Sequence, residues 1–399
     1  MFEIWIFIVT LLTIIFIIYV SFFWKINWIK GLDKNLNKHK RKIGELPPVY
    51  PNGWFALLES YQLAKEQVKH IAVLGENFAV FRTKNGDVKI IDAYCPHLGA
   101  NMAEGGRIID DCLECPFHNW TFRGDGECQS IPYAEKIPPL ARTRAWKSCE
   151  INNIIFVWYH AELANPDWMP MSLEKISSGN WWYHGRNEYL INCHIQEIPE
   201  NGADIAHLNA VHGPAMIISK IFPSFARHSW SGASWSLKNH EFNENKTSAG
   251  ININTYDNIT DKHRAIVTLN HSFSIFEKYS ILCLKIRGEQ IGPGYVELFL
   301  ETSIGTVCIL QTVTPIDKLV QRVVHMIYSP PLLGPYARVI FIGECLMFQR
   351  DVNVWNKKKF QKRPTLVRED KTIISFRKWY SQFYSENSPT YNSVKSLDW

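Results

Sequence analysis

Residues 95–118, CPHLGANMAEGGRIIDDCLECPFH, carry two short ligand pairs, Cys95-x-His97 and Cys115-x-x-His118, with seventeen residues between them. Any fold this chain adopts has to bring both loops to one inorganic centre. Two thiolates and two imidazoles suit zinc, but zinc modules usually pair Cys with Cys and His with His, as C-x2-4-C followed by H-x3-5-H. Here each loop supplies one Cys and one His. A [2Fe–2S] cluster needs that division when two cysteines hold one iron and two histidines the other, and the imidazoles raise its potential above that of an all-cysteine cluster. Zinc stays as the alternative.

A second constellation lies at residues 200–212, ENGADIAHLNAVH, where Asp204, His207 and His212 run D-x-x-H-x4-H with Asn201 three residues earlier. Two histidines and a carboxylate form the facial triad of non-haem Fe(II) oxygenases, which leaves positions open for dioxygen. The spacing predicts a helix carrying Asn201, Asp204 and His207 on one ridge. His212 falls about 140° round from His207, so the helix must end or distort there. Two ordinary histidines on a helix are the plainer reading, and it weakens in a chain that also carries the cluster motif.

The cluster loops resemble the Rieske signature. Respiratory Rieske proteins add a cysteine to each loop and join the two as a disulfide; the corresponding positions here are Ala100 and Phe117, so the loops resemble those of Rieske oxygenases. That resemblance implies a third iron ligand far downstream, in a segment like FQRDVNVWNKKK, which maps onto Asp351 with Glu344 as runner-up; a solvated surface charge is the alternative. It also gives Asp204 a separate role. The matching Asp hydrogen-bonds a histidine ligand of the mononuclear iron and reaches a cluster histidine, here His118 or His97, of a neighbouring subunit. Such a carboxylate orients its histidine and shortens the electron's path. A head-to-tail homotrimer is then expected. Helix capping is the alternative for Asp204 and for Asn201, which is otherwise expected to line the iron pocket.

Residues 4–24 are twenty-one residues without a charge, long enough for one bilayer span. Glu3 before the run, bulky Phe22, Phe23 and Trp24 at its end and lysines after it fit a retained anchor better than a cleaved signal. Formal charge is +5, yet residues 25–42 alone hold Lys25, Lys30, Lys34, Lys38, Lys40, Arg41 and Lys42 against Asp33. Basicity confined beside an apolar segment argues against a nucleic-acid partner. It places the body in the cytosol by the positive-inside rule, with the endoplasmic reticulum as the expected membrane. The expected organisation is an anchor over 1–24, a basic linker over 25–50, a β-rich Rieske domain over 51–165 and a catalytic domain over 166–399. Asn85-Gly86 between FAVFRT and VKIIDAY predicts a hairpin, and IIFVWY (154–159) a further strand. Later, GYVELFLET, TVCILQTVTPID and QRVVHMIYS read as antiparallel strands, FQRDVNVWNKKKF as helical, and FRKWYSQFY as an aromatic segment packed on the body. The fold class is α+β, and the resemblance implies a helix-grip (START-like) catalytic domain with a curved antiparallel sheet. The seven other cysteines show no metal spacing and are expected to be reduced and mostly in the core; the ten other histidines form no second ligand pair.

No G-x-G-x-x-G fingerprint and no plant-type ferredoxin motif occurs, so electrons are expected from a separate NAD(P)H-dependent reductase. The apolar anchor, the basic run, PPVYPNGW (47–54), both metal motifs, TPID (314–317) and FRKWYSQFY together resemble the Neverland-type cholesterol 7-desaturases. That resemblance implies a sterol substrate and dioxygen, a [2Fe–2S] cluster and a mononuclear Fe(II), and 7,8-desaturation of cholesterol to 7-dehydrocholesterol in steroid-hormone biosynthesis. A Rieske-type steroid hydroxylase like the 3-ketosteroid 9-hydroxylases would share every ligand. A chlorophyll-pathway oxygenase would call for a transit peptide rich in Ser and Arg, which is not seen here. A Rieske electron carrier would not need Asp204, His207 and His212, and a lipid-binding module with a vestigial site would hold no iron.

Overall fold

The computed structural model describes residues 10–13, 15, 19–20, 23–32, 42–213, 226–238, 261–276 and 278–394. The expected anchor over 4–24 therefore lies largely outside the described residues. Three small sheets make the first half of the body. One has the order β10 (Ser148–Ile151), β11 (Ile154–Tyr159), β2 (Gly53–Glu59), and the next runs β3 (Val68–Val73), β4 (Glu76–Arg82), β5 (Val88–Asp92). The third is β6 (Arg107–Ile109), β7 (Cys112–Glu114), β8 (Thr121–Phe122), β9 (Cys128–Ser130). Their turns follow local chemistry. Asn152 and Asn153 both take positive φ between β10 and β11, as do Asp110 and Asp111 between β6 and β7, which suits two-residue hairpin turns. The Asn85-Gly86 hairpin joins β4 and β5, with Arg82 opposite Val88.

The second half is built on an eight-stranded sheet of order β1-β12-β18-β17-β16-β15-β14-β13. Its members are β1 (Ile26–Lys30), β12 (Trp182–Asn192), β13 (Ala226–Leu237), β14 (Arg264–Ile275), β15 (Tyr279–Ile291), β16 (Tyr295–Thr302), β17 (Gly305–Asp317) and β18 (Val320–Ser329). Strands β13 to β18 form an antiparallel meander, and β18 closes back onto β12. Four helices matter to the site: α1 (Glu197–Glu200), α2 (Ile205–Val211), α3 (Gly334–Trp355) and α4 (Lys371–Tyr380).

Three expectations change. Residues 25–50 are not only a linker, because β1 pairs in parallel with β12 from Ile26↔Gly185 to Lys30↔Tyr189. The lysines hid the Ile26–Trp28 alternation that packs on the core under α3. Gly185 permits the pairing: a Cβ there would meet the Ile26 backbone at 2.4 Å. Second, the ridge expected through Asn201, Asp204 and His207 is broken, since α1 ends at Glu200 and α2 begins after Asp204, which is its N-cap. Third, the helix glimpsed at 348–360 starts at Gly334, and with Pro331–Leu333 it is the one helix among the described residues long and apolar enough to cross a bilayer. It lies against the sheet, burying Phe341, Cys345, Phe348 and Trp355.

The two halves share their cores. Phe55 and Val157 of the first pack in one cluster with Tyr189, Val323, Phe348 and Trp355 of the second. Trp54, Phe156 and Trp158 join Tyr295, Leu310 and Met326 in another. Four aromatics of the 376–384 segment, Phe376, Trp379, Tyr380 and Phe383, bury against Trp235 and Ala265.

Candidate metal centres

At the tip of the first half, two tight turns present the cluster motif. The Gly99 N–H donates to Cys95 O and the Cys95 N–H to Ala100 O, both at 2.9 Å, while Cys115 N–H donates to Trp120 O at 2.8 Å. Cys95 and Cys115 are buried among Ala93, Met102, Leu113 and Phe122. The His97 and His118 rings stand 4.6 Å apart, and His97 stacks flat on Trp120 at 4.7 Å. Burial, reinforced by the neighbouring Cys115 thiol, pushes the Cys95 thiol up to about 12. An unscreened thiolate is thus unfavourable there, and a metal cation would reverse that balance. His97 Nδ1 is buried without a hydrogen-bond partner. Paired thiols, adjacent imidazoles and an orphaned ring nitrogen suit a bound metal group with mixed Cys and His ligands. Phe117 and Leu98 are exposed at the loop tips. Trp120, which fixes the His97 ring, was not singled out from sequence, although it follows the second histidine by only two residues.

The second centre lies under α3. Ligand atoms of His207, His212 and Asp351 all fall within 4.8 Å of one another. His212 Nε2 is 3.2 Å from Asp351 Oδ2. His212 closes α2 as its C-cap, and Arg350 Nη1 donates to Val211 O at 2.8 Å, tying α3 to the end of α2 beside the Asp. His207 Nδ1 makes a short hydrogen bond to the main-chain carbonyl of Asp204. The ring therefore leaves Nε2 as its free nitrogen, and two imidazoles with one carboxylate are a donor set suited to Fe(II). Buried His212 Nδ1 has no partner.

The Asp204 carboxylate behaves differently from expectation. Its Oδ1 accepts the His207 main-chain N–H at 3.3 Å and stays 4.0 Å from His207 Nδ1, so within one chain it caps α2 while the carbonyl orients the ring. The capping alternative describes this contact, and a third of the side chain remains exposed.

A cavity of about 230 Å³ opens beside the triad. Its wall is mostly apolar, including Leu208, Val267, Leu298, Met347 and Phe348, and Asn201 contributes to it. Apolar walls with a few convergent polar groups are the usual form of a small-molecule site. Glu344 also lines it but is held otherwise: Asn187 Nδ2 donates to Oε2 at 3.0 Å and His325 Nδ1 lies 3.2 Å from Oε1. Gln311 Oε1, 3.0 Å from His325 Nε2, extends this network. Burial pushes Glu344 up to about 8 and His325 down to about 3, so a neutral acid faces a neutral imidazole. Sequence reading missed Asn187 and His325. The available signal was a polar residue at a core-facing position within the apolar strands β12 and β18.

Glu344 also makes a stability prediction. Its folded pKa is raised above the ordinary 4.5, so its favourable contribution is full below about 4.5 and is lost as pH rises through about 8. Buried neutral His325 works the other way, gaining stability as pH rises toward 6.5, so the Glu344 contribution is read as a difference between two proteins. In metal-depleted protein, the melting temperature of Glu344→Gln relative to wild type should rise by on the order of a few degrees between pH 5 and pH 8. Equal slopes in thermal melts of both proteins would contradict this environment for Glu344.

The Rieske [2Fe-2S] domain family matches residues 53–142, and the 3-ketosteroid 9alpha-hydroxylase C-terminal domain family matches residues 157–384. The fold is similar to that of dicamba monooxygenase bound to dicamba, with a TM-score of 0.55 at 12% identity over 84% of this chain and 98% of that one. Fold and domain matches together define a Rieske-type oxygenase with a two-part body. Cholesterol 7-desaturase nvd of Xenopus laevis is 43% identical over 92% of this chain and 79% of its own length. The Drosophila melanogaster protein of that name is 40% identical over 96% and 92%. The chain belongs to the cholesterol 7-desaturase family, as its combined motifs led us to expect.

Proposed function

We propose that this protein is a terminal oxygenase that desaturates cholesterol between C7 and C8, giving 7-dehydrocholesterol for steroid-hormone biosynthesis. The observation that carries the reading is the convergence of His207, His212 and Asp351 beside an apolar cavity in a chain of this family. The reaction removes one hydrogen from each carbon. With two electrons and two protons from the reductase side, one dioxygen becomes two waters. Cys95, His97, Cys115 and His118 hold the [2Fe–2S] cluster in this reading, and His207, His212 and Asp351 hold the iron. When bound, the cluster supplies electrons one at a time and the mononuclear iron supplies dioxygen activation. The chain's own residues supply placement. The Asp204 carbonyl fixes the His207 tautomer, Arg350 secures the seam between α2 and α3, and the apolar wall holds the sterol rings and excludes water. Asn201 is positioned at the cavity edge.

The remaining architecture belongs to the same proposal: an anchor over 1–24, a juxtamembrane segment over 25–50, a Rieske domain over 51–165 and a helix-grip (START-like) catalytic domain over 166–399. A single-pass attachment to the endoplasmic reticulum would leave the body in the cytosol, where a separate NAD(P)H-dependent reductase delivers electrons. In a head-to-tail homotrimer, the exposed part of Asp204 would face a neighbour's cluster histidine. Asp204→Asn tests this link cleanly, because Asn is an equally good helix cap. Iron content and fold should stay, while product formation falls roughly 10- to 100-fold and the reduced cluster reoxidises slowly. Full activity would remove Asp204 from the electron path.

The activity itself is tested by a single turnover of the chemically reduced full-length protein with cholesterol under 18O-labelled dioxygen. Desaturation gives an unlabelled diene, whereas a labelled 7- or 9-hydroxysterol would make the protein a hydroxylase.

A further inference from the structure

Helix α3 is built inside out. Over its first four turns the charged side chains, Arg338 and Glu344, turn inward, one buried and the other on the cavity wall. Its outward stripe is apolar: Leu332, just before the helix, is 88% exposed, Val339 68% and Ile342 38%, with Pro335 and Leu346 half-buried along the same line. Spacings of three, four, three and four put these five residues on one face. The stripe then turns polar at Gln349, Arg350 and Asn353, with Val354 as an isolated exposed apolar side chain on its flank. A helix lying on a sheet in water normally carries its charge outward. A contiguous uncovered apolar face marks an interaction surface.

The neighbouring chain identifies what covers it. Arg338 Nε donates to the main-chain oxygen of Trp24 at 2.5 Å, so the end of the uncharged run 4–24 is fixed to the first turns of α3. Leu11, Leu12, Ile15, Tyr19, Phe23 and Trp24 of that run expose their side chains, and Lys25 and Lys30 follow at once. Large apolar and aromatic groups followed by lysines mark the boundary between acyl chains and headgroups. We propose that the outward stripe of α3, residues 332–346, lies in the membrane interface beside the anchor and seats the body on the bilayer. This rests on the membrane attachment proposed above and adds a second contact to it. An interfacial helix of this kind buries its apolar face about 5–10 Å into the boundary region. Met347 and Phe348, on the next turn, line the sterol cavity, so the docked face brings that cavity to the lipid in which a sterol dissolves.

The test uses the full-length chain in phosphatidylcholine vesicles containing doxyl-labelled lipid, with Val339 or, in a second protein, Asn353 replaced by a fluorescent amino acid. Quenching at position 339 should exceed that at 353 by roughly threefold or more. Val339→Asp with Ile342→Asp should still sediment with vesicles, turn over vesicle-borne cholesterol several-fold more slowly, and keep its rate on cyclodextrin-delivered cholesterol. Equal quenching at both positions in protein that sediments with vesicles overturns the docking face alone. Shielding at 339 that disappears on dilution, or cross-linking of two copies there, assigns the stripe to a contact between copies and also overturns it. A wild-type chain that does not sediment with vesicles overturns the membrane reading beneath it as well.

Discussion

Asp351→Asn is expected to lose the mononuclear iron while the cluster stays intact and reducible. The substitution keeps the side chain's volume, and Asp351 is buried on α3 with its carboxylate 3.2 Å from His212 Nε2, so packing around it should hold. What changes is charge. An Fe(II) held, as proposed, by His207, His212 and Asp351 would lose its only anionic protein ligand, and affinity should fall by about 100-fold or more, since even partners outside the ligand set contribute 10- to 100-fold. Iron analysis should show a drop of about one iron per chain, with the visible spectrum unchanged and product undetectable. Glu344→Gln is the comparison. Its carboxyl is already taken up by Asn187 and His325, so iron should remain. If instead Glu344→Gln loses the iron and Asp351→Asn keeps it, the third ligand is Glu344.

Cys115→Ser should abolish the cluster. Cys115 is almost fully buried beside Cys95, inside a small core that also holds Leu113 and Phe122. Serine fits the space but offers a hard, weakly acidic hydroxyl where a soft thiolate is needed. The reddish-brown absorption and the Rieske-type EPR signal should disappear. Because metal-binding free energy is folding free energy in a small metal-centred domain, this half should also melt earlier. The shared cores with the eight-stranded sheet should keep the body folded and its mononuclear iron in place. Purified wild-type protein containing zinc and no labile sulfide would instead return the four ligands to a zinc site.

Much of this molecule was legible from spacing. The hairpin at Asn85-Gly86 and the strands β16 to β18 follow from turn chemistry and alternation, both local properties of the chain. The cysteines and histidines with ligand chemistry were legible because their spacing within a loop or helix is also local, whereas Asp351, far along the chain, was reached only through the family resemblance. What escaped depends on tertiary context. Strand β1 was obscured by flanking lysines, because charge dominates a reading of 25–42 while Ile26 and Trp28 reveal themselves only against α3. The break between α1 and α2 follows the three turn residues 201–203, which the three-residue spacing of Asn201, Asp204 and His207 conceals. The Asn187–Glu344–His325 network joins residues 157 and 138 positions away from Asn187, and no local pattern announces such a contact.

The proposed reaction is removal of hydrogen from C7 and C8 of cholesterol in the cavity beside His207, His212 and Asp351. Cholesterol deuterated at both carbons on the reacting face, incubated with the full-length protein, its reductase, NADPH and air, tests it by mass spectrometry of the product. The expected product is 7-dehydrocholesterol that has lost one deuterium from C7 and one from C8, with none formed by Asp351→Asn. A hydroxysterol that retains the C8 deuterium, or diene formation undiminished in Asp351→Asn, would contradict it.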